Sequence, residues 1–460
     1  MKRLVWPLAL AFGCAGGNAL ANGRYPIANQ LVISPGDDAR LVLRTTFGLV
    51  LSSDHGKTFQ WVCEKAAGFV NGEDPPVEVT QDSSVLVASS QALGVSHDGG
   101  CGWQTTLEDL SIVDADVDQS QPKRAVAIAS LYLDGGTSSG LQETLDNGHT
   151  WHTLGAPFDG LPATVALAPS QPARIYASGT SVTDLTPLVS TSEDNGSTWH
   201  SYPLSIEKIT VPFLAAVDPK RPEVVYVRAP TAAGTDVLVV STDFGQHFKT
   251  IYKAKGGLYG FALSPDGTQV AVGGPGDPLS IASSADYVFH AVNAVLPLCL
   301  KWSAAGLYAC ADEANADFSL GLSADSGASF KALFRKPALT LLACAANTAA
   351  GQYCPQAWLG QQATLGIDAG APSGGMPSNQ ADAGAPATEG GSSGSLTSNG
   401  GASGSAVSSA GTAGSAKPAG KSSSCALSMS PSPAQPRAFF WVWIAAALCS
   451  LRLRRSTSHN

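Results

Sequence analysis

"STSEDNGSTWHSY", residues 190–202, carries Ser192, Asp194, Gly196, Thr198 and Trp199 in the pattern S-x-D-x-G-x-T-W. An aspartate at this position can accept hydrogen bonds from the N–H groups of a turn, as in an Asx-turn. The glycine allows a backbone φ that other residues resist. The aromatic residue can bury a large apolar face in the next strand. The pattern, called the box below, therefore predicts a structural β-hairpin rather than an active-site loop.

The box recurs along the chain at a nearly constant interval. Six copies keep the aspartate, the glycine and the aromatic residue: Ser52, Asp54, Gly56 and Phe59; Asp98, Gly100 and Trp103; Asp146, Gly148 and Trp151; Asp194, Gly196 and Trp199; Asp243, Gly245 and Phe248; Asp325, Gly327 and Phe330. A degenerate seventh copy, centred on Asp286, lacks the glycine. The aspartates are 44, 48, 48, 49, 43 and 39 residues apart, which suits one four-stranded propeller blade per unit.

Each unit also contains the strands that a blade requires. A β-rich run leads to each box and an aromatic strand follows it. Two more strand-like runs, joined by a Pro- or Gly-rich turn, lie upstream, as in "LAAVDPKRPEVVYVRA" at 214–229. No long amphipathic helix is predicted between 22 and 361. The sequence therefore predicts an all-β fold, a seven-bladed β-propeller of four-stranded antiparallel blades.

The repeated boxes resemble those of the BNR, or Asp-box, repeat proteins, which share a sialidase-like propeller fold. That family includes sialidases, polysaccharide hydrolases, sortilin-type receptors and photosystem assembly factors. The resemblance implies that the boxes lie on the outer rim, away from the ligand face. Sialidases hold a carboxylate with three arginines, whereas Arg124, Arg174 and Arg221 recur here in the turn between the first two strands. That turn belongs to the box side, so sialidase chemistry is not expected.

Composition divides the chain into four segments. Lys2 and Arg3, an apolar run and Ala19-Leu20-Ala21 predict a signal peptide over 1–21. A lipoprotein cysteine at Cys14 is the alternative. The propeller spans 22–361. Gly, Ser, Ala and Pro dominate 362–424, which predicts a disordered linker because such a segment cannot bury enough apolar surface to offset its ordering entropy.

The last segment, 425–460, begins with Cys425 after three serines, continues with an apolar run over 438–451 and ends in an arginine cluster. This layout predicts an apolar anchor helix with cytoplasmic arginines. It also resembles the MYXO-CTERM sorting tails of myxobacterial surface proteins, which implies that the tail is processed and that Cys425 becomes the anchor point. Both interpretations export the propeller and hold it at the outer surface of the envelope.

Cysteines in the propeller segment are even in number: Cys63, Cys101, Cys299, Cys310, Cys344 and Cys354. In an exported protein this indicates disulfides. The sequence does not fix their connectivity. We expect Cys299–Cys310 and Cys344–Cys354 as local pairs, which leaves Cys63–Cys101.

Histidines follow the repeat. His55, His97, His149 and His247 lie in boxes, and His152, His200 and His290 directly follow a box aromatic. They should be spread around the rim, so we expect no shared metal site and no cofactor.

Other carboxylates fall in loops that the blade pattern places opposite the boxes: Glu73, Asp74, Glu108, Asp109, Asp134, Asp159, Asp184, Asp236, Asp312 and Glu313. A glycosidase needs two carboxyl groups about 5–10 Å apart, and the sequence does not say whether any two converge. No catalytic residue is assigned. The loops 132–140, 179–187, 229–236 and 312–317 are the expected binding surface.

The formal net charge of −9 argues against a nucleic-acid partner. We expect a monomeric, non-catalytic cell-surface propeller that binds a protein or glycan through one face. The alternative is a polysaccharide-acting glycoside hydrolase with paired carboxylates in the central depression. An envelope assembly factor is a third hypothesis.

Overall fold

The computed structural model describes residues 24–69, 72–133, 136–206 and 208–367, and these ranges form seven antiparallel sheets. The predicted signal peptide with Cys14, nearly all of the linker and the C-terminal segment with Cys425 lie outside the described residues. Within the described ranges, no helix has both the length and the apolar character needed to cross a membrane.

Each sheet consists of four consecutive strands, numbered here as blades 1 to 7. Blades 1 to 3 comprise β1 (Ala28–Ser34), β2 (Asp37–Thr45), β3 (Gly48–Ser52) and β4 (Gln60–Val62); β5 (Val77–Val79), β6 (Val85–Ala88), β7 (Leu93–Ser96) and β8 (Gln104–Thr106); and β9 (Ser111–Val117), β10 (Ala125–Leu133), β11 (Gly136–Thr144) and β12 (His152–Leu154). Blades 4 and 5 comprise β13 (Leu161–Leu167), β14 (Ile175–Thr180), β15 (Pro187–Ser192) and β16 (His200–Pro203); and β17 (Phe213–Val217), β18 (Val225–Pro230), β19 (Asp236–Ser241) and β20 (Lys249–Lys253). Blades 6 and 7 comprise β21 (Gly260–Leu263), β22 (Gln269–Gly274), β23 (Asp277–Ser283) and β24 (His290–Ala291); and β25 (Cys299–Ser303), β26 (Gly306–Cys310), α1 (Glu313–Ala316), β27 (Leu320–Ser323) and β28 (Lys331–Phe334).

The blades close into a ring. The first strand of each blade contacts the first strand of the next blade, and β25 of blade 7 contacts β1 of blade 1. Strands in the middle of a blade, such as β6 and β14, are buried along their whole length because neighbouring sheets cover both faces. The seven inner strands therefore surround a central channel, and the predicted seven-bladed propeller is confirmed.

Strand direction assigns the turns to the two ends of the ring. Consecutive strands of a blade are antiparallel. The turns between strands one and two therefore share an end with the boxes between strands three and four. We call this the box end. The loops between strands two and three, and the connections between blades, lie at the opposite loop end.

The box turns repeat one set of hydrogen bonds. In blade 1 the Asp54 carboxylate accepts the Ser52 hydroxyl at 2.8 Å, the Thr58 N–H at 2.9 Å and the Thr58 hydroxyl at 2.7 Å. The bonds from Thr58 hold the pKa of Asp54 at about 2. The boxes centred on Asp146, Asp194 and Asp325 have the same pattern, and in the Asp243 box the ring of His247 replaces the second hydroxyl. Each of these carboxylates therefore accepts its hydrogen bonds from groups of its own hairpin.

Glycine is required where the turn packs on the neighbouring blade. Gly148 has φ +89°, and a Cβ placed there would lie 2.9 Å from the Leu86 side chain of blade 2. A larger residue at Gly148 would both strain the turn and separate two blades.

A C-terminal strap, residues 336–367, fastens the ring. It contains β29 (Thr340–Leu341), which pairs in parallel with β4 as a fifth strand of blade 1, and α2 (Ala349–Leu365). Trp358 of α2 lies with its ring centroid 5.4 Å from that of Trp61 in β4. The sequence analysis did not predict α2, which has no amphipathic pattern. Thr348 caps this helix through its side chain, and Gly366 ends it in the left-handed conformation.

Two of the three expected disulfide pairs are also wrong. Cys299–Cys310 is confirmed, but the other bonds are Cys63–Cys354 and Cys101–Cys344. The physical reason is the strap, because it returns along blade 1 and brings each of its cysteines beside a cysteine of blade 1 or 2. Both bonds join sequence-distant parts of the chain, with separations of 291 and 243 residues.

Candidate functional site

Three acidic side chains on inner strands form a cluster at the central channel. Glu78 lies in β5, and Asp114 and Asp116 lie in β9, where they share one face of the strand. Residues two apart in a strand are roughly 6–7 Å apart along the backbone. All three are half-buried, and their neighbours Val77, Val79, Ala115 and Val117 are buried apolar residues. We call this set the channel acid cluster.

The surroundings favour the protonated forms of these groups. Burial raises the pKa of Asp114 to about 7 and that of Asp116 to about 6, and it also raises the pKa of Glu78. Lys301 of blade 7 acts in the opposite direction on Glu78 and Asp116, as Arg44 of blade 1 does on Asp114. Charges from blades 1, 2, 3 and 7 meet here because the inner strands face one another across the channel.

Each aspartate of the cluster also bonds the next blade. Asp114 accepts the Val165 N–H at 2.9 Å, and Asp116 accepts the Leu167 N–H at 2.7 Å. Both donors belong to β13, the innermost strand of blade 4. Its N–H groups on the side away from β14 have no strand partner. One oxygen of each carboxylate is thereby used to join blades 3 and 4.

The same device occurs at other blade junctions. The Gln30 amide of blade 1 donates to the Val77 carbonyl of blade 2 at 2.9 Å and accepts its N–H at 3.1 Å. The Thr164 hydroxyl of blade 4 accepts the Leu214 N–H of blade 5 at 2.8 Å. Neutral side chains join neighbouring blades in the same way at these junctions. The recurrence therefore favours a structural role for Asp114 and Asp116.

The sequence analysis did not find the channel acid cluster. Its candidates were loop carboxylates, and the structure gives several of these local roles. Asp74 pairs with Arg24 at 2.7 Å, and Asp312 caps α1. Asp236 is buried and accepts the Leu258 N–H at 2.8 Å. Asp134 lies outside the described residues. The sequence feature that could have indicated the cluster is "VDADV" at 113–117, a strand that alternates acidic with apolar residues.

The loop end carries a group of exposed apolar side chains on neighbouring blades 3 and 4. Tyr132 is 66 % exposed and Leu131 38 % near the end of β10 in blade 3, and Val182 is 59 % and Leu185 45 % exposed in the loop between β14 and β15 of blade 4. Leu131 also lines a depression of about 180 Å³ together with Pro157. The connection between β14 and β15 is a loop, as the sequence predicted, whereas the predicted loop over 132–140 is wrong because β10 and β11 extend into this range as a hairpin. We call these four residues the apolar loop patch.

Histidines are less dispersed than expected. His97 in the box of blade 2 and His149 in the box of blade 3 stack with ring centroids 3.8 Å apart. The expectation that box histidines stay apart is therefore wrong for this pair, because boxes of adjacent blades lie side by side at the box end.

Comparison with known proteins finds only distant structural similarity. No family model matches the chain, and no curated protein does. Among solved structures, it is similar to an ancestral GH74 enzyme, with a TM-score of 0.49, 12 % identity and coverage of 66 % of this chain and 46 % of that one. A GH74 xyloglucanase from Xanthomonas campestris gives a TM-score of 0.39, 18 % identity and coverages of 62 % and 51 %. Hydrazine synthase of Kuenenia stuttgartiensis gives a TM-score of 0.46 and 13 % identity, with coverage of 66 % of this chain and 97 % of that one. The chain spans about half the length of these two GH74 proteins, and the likeness is one of fold alone.

The raised pKa values predict an unusual pH dependence. An unfolded aspartate has a pKa of about 4, whereas that of Asp114 is about 7. Between these values the folded chain binds more protons than the unfolded chain, so this group's contribution to stability falls as pH rises from about 4 to 7. We expect Asp114→Asn to raise the free energy of unfolding at pH 8 by on the order of 1–3 kcal/mol, with a smaller gain at pH 5. Urea unfolding at both pH values measures this.

Asp194→Asn is the matched control with the opposite sign. Bonds from Thr198 hold the pKa of Asp194 at about 2, so the charged form is favoured and its loss should destabilise the fold at pH 8. An Asp114→Asn variant that is less stable than the wild type at pH 8 would contradict the prediction.

Proposed function

We propose that this chain is a non-catalytic propeller of the cell surface that binds a protein partner through its loop end. The observation that carries the proposal is the apolar loop patch. Tyr132 at the end of β10 and Val182 and Leu185 in the loop of blade 4 are exposed at the loop end of neighbouring blades, and Leu131 is exposed on the opposite face of β10. Exposed apolar residues concentrated at one end of a soluble protein can mark an interaction site. Aliphatic side chains beside one tyrosine suit a protein surface better than a glycan.

The shape of this region supports a protein ligand as well. The depression of about 180 Å³ beside Leu131 is shallow and is lined by Leu110, Ala129, Leu154 and Pro157 among others. Such a recess is small for an extended polysaccharide, but it can receive one apolar side chain of a partner. An anchor residue in a pocket is a common feature of protein interfaces.

Export and surface attachment are part of the same proposal. The three disulfides favour an oxidising compartment. The sequence supplies the predicted signal peptide over 1–21 and the attachment point at Cys425. We also assign the box turns to the Asp-box class, an assignment that their repeated hydrogen bonds support.

A polysaccharide hydrolase is the second candidate, and Asp114 with Asp116 favours it. These two carboxyl groups have raised pKa values and lie at a channel, as a general acid and its partner would. Against this assignment, each uses an oxygen to bond blade 4. For the chain to act as a hydrolase, the mouth of the channel beside Asp114 and Asp116 would have to accept a sugar ring.

The test uses the full chain and two variants. The patch variant carries Leu131→Ser, Tyr132→Ser, Val182→Ser and Leu185→Ser. The control carries Leu145→Ser and Val288→Ser, two exposed apolar residues of the box turns at the opposite end. Each protein is immobilised and exposed to envelope extract, and bound proteins are quantified by mass spectrometry. We expect at least one protein that the wild type and the control retain equally and that the patch variant loses by about tenfold or more.

The hydrolase alternative is measured in parallel. The wild type and Asp114→Asn are incubated with a panel of plant and microbial polysaccharides, and new reducing ends are counted. Cleavage that disappears in Asp114→Asn, with no patch-dependent protein partner, would replace the binding proposal with the hydrolase. A glycan array that gives patch-dependent binding would instead change the partner class from protein to glycan.

A further inference from the structure

A group of potential metal ligands lies at the box end, at the junction of blades 2 and 3. Asp82 belongs to the turn between β5 and β6, His97 to the box of blade 2 and His149 to the box of blade 3. One carboxylate oxygen and one nitrogen from each ring lie within 4.8 Å of one another. Asp82 and His149 are exposed, and His97 is half-buried. Three blade turns therefore meet here, although they are distant in sequence.

The hydrogen bonds around His97 fix which nitrogen carries the proton. The Asp82 carboxylate can only accept, so the Ser84 hydroxyl donates its single proton to Asp82 at 2.7 Å. The Ser84 oxygen must then accept from Nδ1 of His97, which lies 2.7 Å away. His97 is thus protonated on Nδ1, and its Nε2 carries a free lone pair. A carboxylate, acting through a hydroxyl, orients the ring as outer groups orient metal-binding histidines.

Nε2 of His97 is the unexplained atom of this group. It is buried and has no hydrogen-bond partner within the part of the chain that the structure describes. Buried polar nitrogens are nearly always satisfied. The stacked ring of His149 lies over that of His97 at an angle of 9°.

We propose that Asp82, His97 and His149 form a binding site for one divalent transition-metal ion of the Zn²⁺ class. Two imidazole nitrogens and one carboxylate oxygen suit such an ion better than Ca²⁺ or Mg²⁺, which prefer oxygen ligands. The two rings are nearly parallel, so the exposed His149 ring turns to direct a nitrogen at the ion. This turn uncovers Nε2 of His97. No hydrogen bond of the blade 3 hairpin depends on the ring, because Thr144 and Thr150 bond Asp146 instead.

The electrostatic surroundings are consistent with a cation. The carboxylates of Asp98 and Asp146 act on His97 along with that of Asp82, so three negative groups lie around the site. Because Asp82 and His149 are exposed, water can supply the remaining ligands. The bound ion would cross-link blades 2 and 3.

The test is a titration of the full chain with Zn²⁺ after treatment with a chelator. Isothermal calorimetry at pH 7.5 should show one ion per chain. His97→Gln and His149→Gln should each weaken binding by at least about tenfold, and Ser84→Ala, which frees the ring of His97, by about tenfold. His290→Gln, an exposed histidine of blade 6, is the matched control and should leave the affinity unchanged. Binding should weaken at pH 5.5, where protons compete for the rings.

A second measurement guards against a folding defect in the variants. Zn²⁺ should raise the melting temperature of the wild type and of His290→Gln, but not that of His149→Gln, whose own melting temperature without metal should match the wild type. Absence of saturable binding, or equal affinity in the wild type and His149→Gln, would overturn the proposal. So would equal weakening by His290→Gln.

Discussion

Replacing Cys63, Cys354, Cys101 and Cys344 with serine will lower the free energy of unfolding by at least about 5 kcal/mol. The first pair closes a loop with a sequence separation of 291 residues, for which the chain-entropy relation gives about 5–6 kcal/mol. The second pair closes a further loop of about 50 residues within that constraint, which adds about 4 kcal/mol. Since domains are stable by about 5–15 kcal/mol, the variant is expected to be largely unfolded at 37 °C or to unfold at very low denaturant.

The position of the strap explains why this loss matters. The four antiparallel strands of blade 1 all come from the N-terminal segment β1 to β4, so blades 1 and 7 exchange no antiparallel strand. Closure depends on packing of β25 against β1 and on the strap that adds β29 to blade 1. The two disulfides fix that strap covalently.

Cys299→Ser with Cys310→Ser is the control for buried disulfides in general. These cysteines are as buried as Cys63 and Cys354, but their loop has a separation of only 11 residues. Its loss should cost about 3 kcal/mol. Guanidinium unfolding followed by tryptophan fluorescence suits the comparison, because Trp61 and Trp358 meet between blade 1 and the strap. A four-cysteine variant no less stable than this control would show that the strap does not close the ring.

The sequence predicted those parts of the fold that are encoded locally. A box depends on an aspartate and its neighbours within four residues, as the bonds of Asp54 show. Seven such turns at blade spacing were therefore sufficient to predict the ring. The pair Cys299–Cys310 was predictable for the same reason, because β25 and β26 form one hairpin that places these residues opposite each other.

Features that depend on contacts between distant segments were not predictable. Nothing local indicates that α2 returns to blade 1, so Cys344 and Cys354 were wrongly paired with each other. The stacking of His97 on His149 arises from the packing of blade 2 on blade 3. Asp114 and Asp116 were overlooked because they lie in a strand, whereas loops were the expected place for functional carboxylates.

Replacing Arg124 with methionine will lower the free energy of unfolding by about 3–5 kcal/mol. Arg124 is 5 % exposed. It donates to Glu143 at 2.6 Å and to Asp118 at 3.1 Å within blade 3. It also bonds the Pro172 carbonyl of blade 4 at 2.7 Å. Methionine fills the volume but leaves two buried carboxylates without their cation, and an uncompensated buried charge is far more costly than the pair was worth.

Two comparisons separate this electrostatic effect from a loss of packing. Arg335→Met removes an ion pair with Asp317 in which both side chains are largely exposed, and it should cost no more than about 1 kcal/mol. Adding Glu143→Gln to Arg124→Met should restore part of the lost stability, because the second change neutralises one stranded carboxylate. Urea unfolding of the two single variants and the double variant gives the coupling energy. If the double variant is less stable than Arg124→Met alone, then Arg124 acts through its packing and its bond to blade 4. In that case, the ion pairs of blade 3 are not what holds this junction together.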